Sequence, residues 1–200
     1  MVRFDAQDPD FEASVRRSFE KLTLMRTLGA RLLRIAPGEV EIELPFREDL
    51  TQHHGFLAAA VLTAIVDVAC GYAAMTLMPD GASVLTIEYK VNFLSPARGQ
   101  RMVARGRVVR PGRTVTVCSG EVLAINDGAE KPVATMLATM ATVASRAGDS
   151  PRVEANGAHH QRSGSHHPYS SSPKPRSWCA CRGGGLRRKL TEIVGARWRA

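Results

Sequence analysis

The sequence predicts an α+β domain in which one curved antiparallel sheet wraps around a single long helix. Two observations carry this prediction. A long apolar run occupies positions 57–78, and segments with the alternation and the Val, Thr and Ile content of strands flank it on both sides. A sheet curved around one buried helix would bury the apolar faces of all these segments.

The N-terminal region is predicted to form a helix followed by a hairpin. Residues 8–24 carry apolar side chains at helical spacing, with acidic residues in the first turn. Residues 30–36 and 40–46 alternate as strands do, and Pro37 and Gly38 between them indicate a turn. The apolar stripe of the helix consists of Phe11, Val15, Phe19 and Leu22.

The apolar run at 57–78 is long enough to be a membrane span, but a helix buried in a soluble core is favoured. Asp67 is the only charged residue in the run, and a carboxylate at mid-membrane costs about 2.5 to 3.5 kcal/mol on insertion scales. Strand-like runs at 83–94, 101–110, 114–126 and 132–143 follow, and we expect them to form an antiparallel meander.

Charge divides the chain into a domain at 1–145 and a basic tail at 146–200. Up to residue 145 there are 16 basic and 16 acidic residues, so the remaining 11 basic and 3 acidic residues supply the whole net charge of +8. The tail is rich in Ser, Gly, Arg, Pro and His, which predicts disorder, with a short amphipathic helix at 186–198. A tether to membranes or nucleic acid and a reading-frame accident are alternative interpretations of this tail.

Composition also limits the compartment and the cofactors. The four cysteines do not form a disulfide framework, and the acidic N-terminus is unlike a secretory signal, so we expect a cytoplasmic protein. His53 and His54 have no carboxylate or Cys spaced to complete a metal site, and a loop role is favoured for them. We expect no cofactor, no specific nucleic acid and no membrane span.

Three segments carry a resemblance to a known family. They are TQHHGFLAAAVLTAIVDVACGYAA, then VLTIEYKVNFLSPARG, then VVRPGRT. In order and spacing they closely resemble the phenylacetate-degradation (PaaI-type) branch of the hotdog-fold thioesterases, over about residues 20–144. The resemblance implies a hotdog fold, hydrolysis of acyl-CoA thioesters, and active sites at subunit interfaces.

The resemblance also implies roles for individual residues. Gln52 matches a polar residue before a tight turn, the alanines at 58–60 fill that turn, and Asp67 matches the carboxylate of the central helix. Thr86 lies where relatives carry Ser or Thr on the next strand. Ala58 is a departure, because the family usually has His in that position.

These residue types suit thioester hydrolysis on physical grounds. Attack on the carbonyl develops negative charge on oxygen, which the free Ala59 N–H at the helix N-terminus would stabilise. Asp67 would act as general base or nucleophile, and Thr86 would help to hold the water. We assign substrate contacts to Gly55, Ala58, Ala60, Arg110 and Arg113, of which the two arginines flank a basic turn suited to CoA phosphates.

Helix geometry predicts a homodimer or tetramer with shared sites. Ala59 and Asp67 are separated by about 12 Å along one helix at 1.5 Å per residue, so one helix cannot place both on one carbonyl. Two helices related by a two-fold axis can.

Three other interpretations remain open. The domain could bind acyl-CoA or a partner without turnover, an interpretation that Ala58 favours. It could be a hotdog dehydratase, although the central helix lacks the His that this chemistry usually needs. Asp67 could also be a structural carboxylate.

Overall fold

The computed structural model describes residues 4–144, and these contain three helices, one short 3-10 helix and six strands. The helices are α1 (Phe11–Lys21), α2 (Thr23–Leu28) and α3 (Ala59–Met75), with the 3-10 helix at Glu48–Leu50. The strands are β1 (Arg31–Ala36), β2 (Glu39–Pro45), β3 (Ser83–Phe93), β4 (Arg101–Arg110), β5 (Val115–Asn126) and β6 (Ala129–Val143).

The strands form one antiparallel sheet in the order β1-β2-β4-β5-β6-β3, and α3 packs against five of them. The predicted architecture of a sheet around a central helix is therefore confirmed. The predicted meander holds only for β4, β5 and β6, because β3 pairs with β6 at the sheet edge instead of with β4. Alternation identifies a strand and its faces, but it contains no information about which strand lies beside it.

Two glycines let the sheet backbone approach α3 closely. Gly106 of β4 faces Gly120 of β5 in the strand register. A Cβ on Gly106 would lie 2.3 Å from the carbonyl of Ala69, and one on Gly120 would lie 2.5 Å from Val66 Cγ2. A methyl on Gly106 does not fit without movement of the helix or the sheet, and one on Gly120 would displace the side chain of Val66, so this pair lies where α3 and the sheet approach most closely.

The predicted N-terminal helix over 8–24 is divided in two. Leu22 has extended backbone angles (φ −74°, ψ 95°) between α1 and α2, and α2 ends at Gly29, whose φ of +74° is the left-handed cap conformation. The apolar periodicity of the sequence shows no sign of this break, because Leu22 is itself apolar and fits the helical spacing. Near the end of α1, Phe19 is in aromatic contact with Tyr72 of α3, with ring centroids 6.0 Å apart.

Glutamates on β2 pair with arginines on the neighbouring strands. Glu39, Glu41 and Glu43 alternate with buried residues and so share the face of β2 that points away from α3. These contacts occupy Arg101, Arg105 and Arg107 in ion pairs across the sheet. The ion pairs on this face are Arg34–Glu39, Arg107–Glu39, Arg105–Glu41, Arg31–Glu43, Arg101–Glu43, Arg107–Glu121, Arg105–Glu121 and Arg105–Glu130.

Within residues 4–144, none of the helices is both long and apolar enough to cross a membrane. The predicted domain boundary at 145/146, the disordered tail and its short helix at 186–198 fall outside the described residues, and they stay predictions.

Candidate active site

Asp67 lies in the middle of α3 and is hydrogen-bonded to the next strand. The Thr86 hydroxyl on β3 donates to Asp67 Oδ1 at 2.8 Å. The register of β3 against β6 shifts directly after Thr86, which is a bulge of the kind that redirects side chains beside functional sites. The structure therefore brings together Asp67 and Thr86, two of the residues that the sequence selected.

Partial burial of Asp67 changes its acidity. Desolvation by the surrounding apolar residues raises the pKa of the Asp67 carboxyl above its usual value of 3.8, and the hydrogen bond from Thr86 opposes this shift. A carboxylate with a raised pKa is a stronger base than a fully solvated one.

A cavity of about 410 Å³ opens beside Asp67, between α1, α3 and β3. Asp67 and Thr86 lie on its wall, and most of the remaining wall is apolar. Gly71 and Met75 continue the face of α3 that carries Asp67, one and two helical turns further on. The cavity is lined by Ser18, Lys21, Leu22, Asp67, Val68, Gly71, Tyr72, Met75, Ser83, Val84, Leu85 and Thr86.

The contributions of α1 to this cavity were not found from the sequence. Ser18 and Lys21 are three residues apart on α1 and therefore share a face. The apolar stripe of residues 8–24 contains neither of them, so the only available signal was the division of the helix at Leu22, which periodicity did not detect.

The N-terminus of α3 presents free backbone donors. Ala58 is the N-cap, with an extended backbone (φ −64°, ψ 141°) and no side-chain cap. Among the described residues, neither the Ala59 N–H nor the Ala60 N–H has an acceptor, and both residues are exposed. The chain entering the helix is held by hydrogen bonds from Ala58 N–H to the Leu50 carbonyl and from Leu57 N–H to the Ala97 carbonyl, each 3.0 Å.

The loop before α3 holds the other predicted polar residue. The Gln52 side-chain oxygen accepts a hydrogen bond from the His54 backbone N–H, so Gln52 organises this loop. Gly55 has a φ of +77°, and nothing approaches its Cβ position within 4 Å. With Arg98, these residues line a separate polar cavity of about 520 Å³, and Arg98 is a residue that the sequence analysis did not select.

Within one chain, the predicted site residues fall into separate groups. Asp67 and Thr86 share one cavity, whereas Gln52 and Gly55 line another, and Ala58, Ala59 and Ala60 line neither. Eight residues of helix separate Ala59 from Asp67, about 12 Å along the axis. The structure therefore has the predicted separation of Ala59 from Asp67 within one chain.

The two arginines assigned to CoA lie elsewhere. Arg113 lines a third cavity, of about 440 Å³, at the C-terminal end of α3, and Arg110 is exposed at the end of β4. Neither lines the cavity that contains Asp67. The part of the chain covered by the structure has no group of three or more His, Cys, Asp or Glu side chains placed to hold a metal ion.

A curved antiparallel sheet around one long helix is the architecture of hotdog domains, and in this chain a half-buried carboxylate lies at mid-helix. The sequence profile of the thioesterase superfamily matches residues 54–130. A protein of Halobacterium salinarum whose name proposes an esterase is 32% identical over 135 residues, which cover 65% of this chain and 87% of that protein. The chain belongs to the thioesterase superfamily, and thioester hydrolysis is the general activity that this membership supports.

Solved structures agree with this assignment. A thioesterase family protein from Silicibacter pomeroyi is 47% identical, with a TM-score of 0.66, over 68% of this chain and 99% of that one. The E. coli PaaI protein from the phenylacetic acid degradation operon is 17% identical, with a TM-score of 0.61, over 67% and 94% of the two chains, and it supports the fold. The predicted resemblance to PaaI-type hotdog thioesterases is confirmed.

Proposed function

We propose that this protein hydrolyses acyl-CoA thioesters to the free acid and CoA, with Asp67 as general base or nucleophile. The observation that carries the proposal is the half-buried Asp67, which accepts a hydrogen bond from Thr86 and faces a largely apolar cavity. An acyl group requires such an apolar space next to the reacting carbonyl. Thr86 holds one carboxylate oxygen and leaves the other free for water or for the carbonyl carbon.

The second requirement is stabilisation of the oxyanion. The Ala59 N–H is free and lies at the positive end of the α3 dipole, which suits the developing negative charge. Only the backbone takes part, so Ala can serve in this position. The thioester carbonyl oxygen would point at Ala59, with Gly55, Ala58 and Ala60 forming the adjoining surface and Gln52 fixing the loop.

The site is completed by a second copy of the chain, because one helix keeps Ala59 and Asp67 about 12 Å apart. Strand β3 is a suitable contact. It is an edge strand of 11 residues, and Tyr89 and Phe93 are 48% and 46% exposed although their partners on β6 are buried. The opposite edge, β1, has only 6 residues and carries two arginines. Long apolar edges favour strand pairing, whereas short charged edges prevent it.

The CoA moiety would extend from the α3 N-terminus over the polar loop cavity. Arg98, His53 and His54 line that cavity and offer donors to phosphate or to the pantetheine amides. Arg110 and Arg113 remain candidates for the phosphates only if a second copy brings them near this loop.

A mixing experiment tests both the chemistry and the sharing of sites. Ala59→Pro removes the proposed oxyanion donor at the first helical position, where Pro is well tolerated and the extended Ala58 already suits it. We expect it to lower kcat about 100-fold or more, as loss of an oxyanion donor does. Asp67→Asn removes the base. Each variant alone should therefore be nearly inactive while remaining folded.

Mixing these two variants after dissociation and reassociation should restore activity. Half of randomly formed dimers are mixed, and each mixed dimer contains one intact site of two, so about one quarter of wild-type activity is expected. Circular dichroism of each variant controls for folding. If the mixture stays as inactive as its components, the sites are not shared between chains.

A non-catalytic acyl-CoA-binding domain is the second candidate, and the observation that favours it is Ala58 at the N-cap, which offers the substrate no side chain that can form a hydrogen bond. Wild-type protein that binds acyl-CoA by calorimetry and releases no CoA thiol would favour this candidate. Thiol release that Asp67→Asn abolishes excludes it.

A further inference from the structure

The cavity beside Asp67 has a polar end that the proposed hydrolysis does not use. Tyr72 is almost fully buried (4% exposed), and its hydroxyl donates to Ser18 Oγ at 3.1 Å. Burial raises the pKa of the Tyr72 phenol, so its proton stays in place for this hydrogen bond. Lys21 lies one turn further along α1, on the same face as Ser18.

This polar end offers donors without a matching acceptor. Among the described residues, no acceptor takes the Ser18 hydroxyl proton. Lys21 is exposed at the rim of the cavity, and within the same part of the chain its ammonium has neither an ion pair nor a hydrogen bond. Ser18 and Lys21 therefore supply up to four N–H or O–H donors and one positive charge. A group that only accepts hydrogen bonds and carries negative charge satisfies them best, and a carboxylate has both properties.

The position of this end relative to Asp67 sets the length of the ligand. Tyr72 follows Asp67 by five residues of helix, about 7.5 Å along the axis. The same cavity is also lined by the apolar residues Val68, Gly71 and Val84. A ligand that spans the cavity thus has its reacting carbonyl at Asp67, an apolar middle, and an acceptor group at Ser18 and Lys21.

We propose that the cavity binds an acyl group that ends in a carboxylate, so that the substrates are CoA esters of medium-length dicarboxylic acids. This inference rests on the proposed thioesterase function and adds to it the chemistry of the acyl group. The Lys21 ammonium and the Ser18 hydroxyl bind the terminal carboxylate, and Tyr72 fixes the Ser18 rotamer. Separation along α3 keeps that carboxylate away from the Asp67 charge.

The test compares two acyl chains of equal length. Adipoyl-CoA and hexanoyl-CoA have six carbons each and differ in the terminal carboxylate. We expect the wild-type chain to prefer adipoyl-CoA by at least about tenfold in kcat/KM, the scale of one charge-assisted interaction. Lys21→Met should lower that ratio about tenfold, and Ser18→Ala should lower it by a smaller factor. Lys131→Met on β6 is the control, since it removes the same charge at an exposed position that does not line this cavity.

The outcomes separate this inference from the proposed function. Equal turnover of the two esters by the wild type, or equal loss of both in Lys21→Met, would overturn the carboxylate assignment and leave the thioesterase function standing. If neither ester is hydrolysed, the proposed function fails, and calorimetric binding of both esters to wild type and Lys21→Met then decides the inference. Tighter binding of adipoyl-CoA that Lys21→Met abolishes supports it, and equal binding contradicts it.

Discussion

Gly71→Ala is expected to stabilise the protein and at the same time to narrow its acyl specificity. Gly71 is buried in the interior of α3, where Ala is more favourable than Gly by about 1 kcal/mol. The added Cβ would meet only Val84 Cγ1, at 3.7 Å, which is an ordinary van der Waals distance. No backbone or side chain has to move. A gain of about 1 kcal/mol would raise Tm by about 3 to 5 °C in a domain of this size.

The same methyl enters the cavity one helical turn from Asp67, about 6 Å along the axis. Short acyl groups end before it, whereas longer or aromatic groups must pass it. We therefore expect kcat/KM for acetyl-CoA to stay within about twofold and that for phenylacetyl-CoA or octanoyl-CoA to fall about tenfold or more, since one methylene in a pocket is worth 10- to 200-fold.

Thermal unfolding followed by circular dichroism measures the first effect, and thiol release from an acyl-CoA series measures the second. The substrate series provides its own control, because a general loss of activity would lower the rates for all chain lengths equally. A lowered Tm would show that the space at Gly71 is not available. Unchanged turnover of bulky esters would show that the acyl group does not lie along this face of α3.

Four further outcomes are expected. In the profile of kcat/KM against pH, the acid limb should have its midpoint above 3.8, because Asp67 must be ionised to act as base and burial raises its pKa. Thr86→Val removes the hydrogen bond that lowers this pKa. The midpoint of the variant should therefore lie at a still higher pH. Asp67→Asn should reduce turnover at least about 100-fold. It should not lower stability at pH 7, because a pKa of Asp67 that is higher in the folded than in the unfolded chain means that its ionised form disfavours folding at that pH. Wild-type turnover in a folded variant would refute the catalytic role. Ala58→His restores the residue that the family usually has at the start of the central helix, and it should raise kcat or lower KM. Circular dichroism controls for damage to packing by the larger side chain. Unchanged kinetics would favour a binding role. Gly106→Ala should lower the unfolding free energy by about 1 to 3 kcal/mol, since its Cβ would meet the Ala69 backbone, and an unchanged Tm would show that the helix can shift away.

Most of the fold follows from patterns that are local in the sequence. The apolar run at 57–78 predicted the central helix, observed at Ala59–Met75, and alternation located all six strands. The predicted place of β3 in the strand order, beside β4, was wrong because long-range packing decides which strands are neighbours. Thr86 reaches Asp67 from that edge position, so the sequence identified the residue before the topology explained its placement.

The candidate site was accessible from the sequence where one segment carries it, and not where two distant segments meet. Asp67 was a lone carboxylate in an apolar run, and Gln52 and the alanines at 58–60 preceded it in one stretch. Ser18 and Lys21 on α1 come together with Tyr72 on α3 only in the folded chain, where all three line one cavity. A hydroxyl and an ammonium on a surface helix have no distinguishing pattern until the tertiary contact is known.

The glycine pair Gly106 and Gly120 also determines which parts of the site can change in evolution. At Gly106 the sheet backbone meets the helix backbone itself, so side-chain exchanges at that point do not reposition α3. The position of Asp67 relative to the sheet of its own chain would then be inherited unchanged. Residues on the opposite side of α3, such as Gly71 and Met75, have no part in that contact. Acyl preference can therefore diverge among relatives through these positions while the reaction geometry stays the same.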